Sequence, residues 1–204
     1  MKNYEYHRIG ELATQLGKAG IRQETIDKIM EGGENILRKT SPAKKADWMR
    51  EAMLRMSRLL DLKTRKTVRE ACACRLTGRP LKASQAIARE NKTLEDRIKA
   101  ANKAISVYGG CVRMQENGEV LMRFAPEGLD HYRCACLRGA DKPLSVTYCF
   151  CCGGHVRYHL QISLGREMDY TIRSTALSSG GKLPCTFGMR IFAHRASCPR
   201  HTPL

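Results

Sequence analysis

Apolar positions recur at helical spacing through the first half of the chain and at strand spacing through much of the second. Ile9, Leu12, Ala13 and Leu16 fall on one helical face, as do Ile26, Ile29, Met30, Ile36 and Leu37, with Gly32 and Gly33 interrupting the second pattern. Ser41-Pro42 reads as an N-cap followed by proline at the first helical position. Met49, Ala52, Met53, Met56, Leu59 and Leu60 then make one continuous stripe, the mark of a core-facing helix. The spacing predicts further helices over 64–77, 82–90 and 93–107. Gly78 and Pro80 end the first of these, and Thr93 caps the last with Asp96 three residues on. Two short helices about a turn also fit a helix-turn-helix, a pattern shared by any helical bundle.

The period changes at Gly109-Gly110. CVRMQ and VLMRF flank Asn117-Gly118, a hairpin signal. In SVTYCFC, residues 145–151, Val146, Tyr148 and Phe150 alternate with Thr147, Cys149 and Cys151, which predicts a strand. A helix over 153–164 follows, closed by Gly165, and MDYTIRSTAL and CTFGMRIF flank a second hairpin. The fold expected is α+β: a helical N-terminal region (1–108), a small antiparallel sheet packed with at least one helix (109–193), and a loose polar tail (194–204).

Composition narrows the setting. The chain has 204 residues, ten of them Cys, and a formal net charge of +16. A chain of this length buries a core without help from disulfides. Its apolar runs are too short to span a membrane, and MKNYEYHRIGEL lacks the apolar stretch of a signal peptide, so a cytoplasmic protein is expected. Cysteines in such a compartment are thiols, thiolates or metal ligands. Residues 1–110 carry 24 Lys/Arg against 13 Asp/Glu, a net +11, and the remainder +5. That excess is compatible with nucleic acid, but it forms no cluster and there are few aromatic residues to stack on bases; solubility explains it as well. A homodimer is left open.

The cysteines carry the candidate chemistry. In an extended chain, residues two apart share a face. Cys134 and Cys136 in RCAC would then project together, as would Cys149 and Cys151 in YCFC, and Gly139 and Pro143 let the intervening segment fold back. Four thiolates brought together in this way suit tetrahedral zinc. An iron–sulfur or other metal centre and a set of buried structural thiols are the alternatives. The earlier CAC differs: on a helix over 64–77, Cys72 and Cys74 point about 200° apart and cannot share an ion unless the helix ends early. His155 and His159, Cys152, and the tail residues His194, Cys198 and His201 are further potential ligands. Cys152, at the turn into the 153–164 helix with His155 as base, is also a candidate nucleophile for hydrolysis of a small amide or amidine-like substrate.

The run from YCFCCGG to CTFGMRIF resembles the end of vinyl-reductase-type small-molecule-binding domains. There a helix, a strand, a Gly-containing hairpin and a strand beginning Cys-x-Phe occur in this order. The corresponding residues are Gly165, Ser178, Gly180 or Gly181, Cys185 and Phe187. The amino-thiazoline-carboxylate hydrolase family has a similar ending, and the whole chain resembles an uncharacterised bacterial family of unknown function. The resemblance implies a sensor-like domain with a small-molecule pocket between helix and sheet, and adds Cys185 as a candidate zinc ligand. The chain departs from phenol-responsive regulators, which carry related sensor domains, in having no ATPase or recognisable DNA-binding partner domain. It departs from the hydrolases in offering no matching catalytic set.

Overall fold

A computed structural model describes residues 3–74 and 76–192. The tail candidates His194, Cys198 and His201 lie outside the described residues. Eight α-helices and four strands follow in chain order among the described residues. The helices are α1 (His7–Lys18), α2 (Gln23–Ile29), α3 (Pro42–Leu59), α4 (Leu62–Ala71), α5 (Arg79–Glu90), α6 (Leu94–Lys103), α7 (Ile105–Tyr108) and α8 (Phe150–Leu164). The strands are β1 (Cys111–Met114), β2 (Val120–Arg123), β3 (Met168–Ser174) and β4 (Thr186–Ile191). The fold is α+β, with N-terminal helices and a four-stranded antiparallel sheet ordered β1-β2-β4-β3 and packed against helices.

Local chemistry sets several boundaries as the sequence reading expected. Ser41 Oγ accepts the Lys44 amide and Thr93 Oγ1 accepts the Asp96 amide, each supplying one of the helix's unpaired donors with a partner. Residues 115–119 close the first hairpin, with Val112 opposite Met122. The third helix buries Met49, Ala52, Met53 and Met56, whereas Leu59 at its end is exposed.

Residues 145–151 depart from the strand expected of them. Val146–Cys149 form a 3-10 turn that runs directly into α8 at Phe150. This helix is buried over most of its surface, with Tyr158 exposed, and packs against α4, α5 and β3; with buried residues on most faces it shows no 3.6-residue apolar stripe. Gly153 and Gly154 sit inside it. A Cβ at Gly153 would overlap the Tyr170 ring on β3, and one at Gly154 would press on the Glu70 backbone of α4. These glycines serve close packing and do not break the helix.

The 64–77 helix is also corrected: α4 begins after an Asp61 cap and stops at Ala71. Cys72 caps its C-terminus, and beyond it the Cys74 carbonyl lies 3.0 Å from His155 Nδ1 on α8.

Two apolar clusters result. One joins α1, α2, α3 and Val68 to Leu137, Leu144, Tyr148, Cys149 and Cys151. The other joins Ile87, Ile98, Ala101 and Tyr108 to the sheet and to Val156, Leu160 and Leu164 of α8. The cysteine-rich start of α8 lies where the two clusters meet.

Candidate metal centre

Three chain segments converge here: the stretch after α4, the loop carrying RCAC, and the first turn of α8. The loop is fixed by a close approach, since a Cβ on Gly139 would strike the backbone of Pro42 at the start of α3. Cys136 stands at the centre of the site. Its sulfur has those of Cys134, Cys152 and Cys74 as neighbours, and the Arg8 guanidinium of α1 stands beside it. Those three thiols, with the Arg8 guanidinium beside them, hold the Cys136 thiol far below a free thiol's range. The donors move the opposite way: bonding to Cys136 together with burial raises Cys74 and Cys134. Cys152 bonds to both Cys136 and Cys151 and is also pushed well up. The bond from Cys152 brings Cys151 down to about 7.

The four cysteines singled out as a zinc set therefore have different settings. Cys134 and Cys136 are together, and Cys151 touches the group through Cys152. Cys149 bonds instead to Thr175, and burial pushes its thiol up to about 12. The physical reason is the helix: residues two apart on consecutive helical turns point about 200° apart, so Cys149 and Cys151 cannot share a face. Cys185 accepts the Ala176 amide at 3.3 Å on the Cys149 side. Cys74 and Cys152 take the places given to Cys149 and Cys151. Sequence reasoning set Cys74 aside by assuming a longer helix; the repeated CAC tripeptide was the signal that tied it to Cys136.

His155, proposed as a base, lies 3.0 Å from the Cys74 carbonyl oxygen and 3.4 Å from that of Val107. The bonds to Cys136 and Cys151 and burial raise the Cys152 thiol. The contact from His155 ties the backbone that presents Cys74 to α8.

Two arginines and two cavities complete the site. Arg69 is 3% exposed. Its Nη2 donates to the Tyr148 carbonyl at 3.1 Å, its guanidinium lies over the Tyr148 ring, and its Nε has no hydrogen-bond partner. Among the described residues neither Arg8 nor Arg69 forms an ion pair with a carboxylate. The Cys136 side chain stands beside Arg8, and those of Cys151, Cys72 and Cys152 stand around Arg69. One cavity of about 410 Å³ has Cys74, Cys134, Cys136 and Cys152 in its wall, with Phe124 and Leu129 on its apolar side. A second, of about 400 Å³, is faced by Arg8, Arg69, Cys72, Cys74 and Cys151.

Thiolates are soft donors suited to zinc, copper(I) or iron–sulfur clusters. Among the described residues no three Cys, His, Asp or Glu side chains already stand in the arrangement that holds an ion. No helix among the described residues is long and apolar enough to cross a membrane. No family model, curated protein or solved structure matches the chain.

Proposed function

We propose that this protein binds a thiophilic metal ion, zinc, through Cys74, Cys134, Cys136 and Cys152. One observation carries the reading: three thiols from separate segments, together with a guanidinium, converge on the Cys136 sulfur. Buried neutral thiols need no such convergence, and an N–H bonded to a ligand sulfur is the kind of outer contact that orients and tunes metal thiolates. Arg8 supports the same reading, because a tetrathiolate zinc site is dianionic and a guanidinium beside its sulfur meets that charge. Four sulfur ligands leave no open position, so the ion is structural, pinning the stretch after α4 and the RCAC loop onto α8. A small molecule occupies the adjoining cavity of about 410 Å³, whose thiol wall would let its binding be felt at the metal, as a sensor requires.

Elemental analysis of protein purified without a histidine tag tests the metal. About one equivalent of zinc or more per chain is expected. Less than a few tenths of an equivalent of any metal sinks the proposal, and iron with visible charge-transfer absorption replaces zinc by an iron–sulfur cluster.

A further inference from the structure

More thiols gather at this site than one ion can use. Cys74, Cys134 and Cys152 are neighbours of Cys136, Cys151 is a neighbour of Cys152, and all five sulfurs' residues stand in the wall of one cavity. Cys72 stands one side chain further on, its sulfur bonded to Arg69 and close enough to Cys151 to feel its charge. A tetrahedral ion takes four. The two left over, Cys72 and Cys151, face the same cavity of about 400 Å³ as Cys74. Cys74 and Cys151 also face the 410 Å³ cavity, so they stand between the two spaces.

Arg69 supplies an independent observation. It is buried among Cys151, Cys72 and Cys152, its Nε is unpartnered, and among the described residues no carboxylate pairs with it. Glu11, the carboxylate facing the same cavity, is hydrogen-bonded to Gln15 at 2.8 Å. A buried guanidinium without a counter-charge is costly, and neutral thiols do not offset it. The requirement falls on the Cys72 and Cys151 side, away from Cys134 and Cys136.

We propose that the locus holds two divalent ions. Cys134 and Cys136 are terminal ligands of the first and Cys72 and Cys151 of the second, while Cys74 and Cys152 bridge the two. This rests on the metal reading above and extends it by a second site. Each ion then has four thiolates, and the thiols release their protons to solvent on binding. Two dications and six thiolates leave a dianion, the charge that Arg8 and Arg69 match. To close on the ions, the sulfurs exchange their mutual hydrogen bonds for metal bonds of about 2.3 Å.

Native mass spectrometry of the full chain, reduced and loaded anaerobically with Zn²⁺, counts ions directly. Two per chain are expected, falling to one in Cys72→Ser/Cys151→Ser and staying at two in Cys149→Ser. A single ion on the wild type overturns the second site while leaving the metal reading intact; no ion removes both. Two ions retained by the double variant also overturn it. Should that variant fail to fold, ¹¹³Cd NMR of the wild type decides without substitution. Two resonances split by coupling through shared sulfurs are expected, and one resonance, or two without coupling, refutes the bridged pair.

Discussion

Gly153→Ala should destabilise the protein, although alanine is the better helix former. In an open helix the exchange stabilises by about 0.5–1 kcal/mol. Gly17, near the end of α1, has nothing within 4 Å of where its Cβ would stand, so Gly17→Ala is the control in which that gain is realised. At Gly153 the new Cβ would overlap the edge and hydroxyl of the Tyr170 ring. Tyr170 cannot yield freely: its hydroxyl donates to Glu70 Oε1 at 2.7 Å, and Lys66 lies over its ring. Overpacking costs about 1–3 kcal/mol, and a hydrogen bond to a charged acceptor is worth about 1.5–3 kcal/mol. With the helical gain subtracted and the hydrogen bond partly lost, the net loss is about 2–4 kcal/mol. For a chain of this size that lowers the melting midpoint by roughly 5–15 °C. Thermal and urea unfolding followed by circular dichroism measure both variants. If Gly153→Ala melts at or above the wild type while Gly17→Ala gains as expected, the close packing of α8 on β3 is not what selects glycine there.

Further expectations follow from the same contacts. Cys136→Ser should reduce bound metal far more than Cys149→Ser, because Cys149 bonds to Thr175 and stands apart from the Cys136 group; elemental analysis of the two variants checks this. Leu160 is fully buried in α8, so Leu160→Ala should cost about 3–5 kcal/mol in urea titrations. Burial opposes ionisation of Asp169, but the Tyr170 amide, Lys66 and Arg157 outweigh it and hold the carboxyl below its usual range. A depressed pKa stabilises the fold above the unfolded value of about 3.9, and that contribution is lost as pH falls through the folded value. Asp169→Asn should therefore cost a few tenths of a kcal/mol at pH 7, the group being partly exposed, with wild type and variant converging in acid; denaturant titrations across pH test the sign.

What could be read from the sequence was what local chemistry decides. Ser41, Thr93 and Asn117-Gly118 act on their immediate neighbours, and each marks a real boundary. The Met49–Met56 stripe is legible because α3 has a wet face and a dry one. The α8 segment is not, because a helix buried on most of its faces shows no period, and its opening residues happen to alternate in the manner of a strand. Its two glycines resemble a break until Tyr170 and Glu70 are seen against them. The cysteine pairing inherited that error, since two-residue spacing implies a shared face only in extended chain. Cys74 reaches Cys136 because α4 stops at Ala71, while Arg8 and Arg69 arrive from helices whose sequences mark them only as surface cations.

The strand order β1-β2-β4-β3 has a consequence for biosynthesis. The last described strand to leave the ribosome is a central one, and it supplies hydrogen-bonding partners to β2 and β3 alike. Until β4 emerges, the β1–β2 hairpin and β3 are separate pieces with bare edges. The N-terminal helices can settle during translation, but the sheet closes in one late step. A nascent chain stalled before residue 186 should therefore be prone to aggregation and attractive to chaperones.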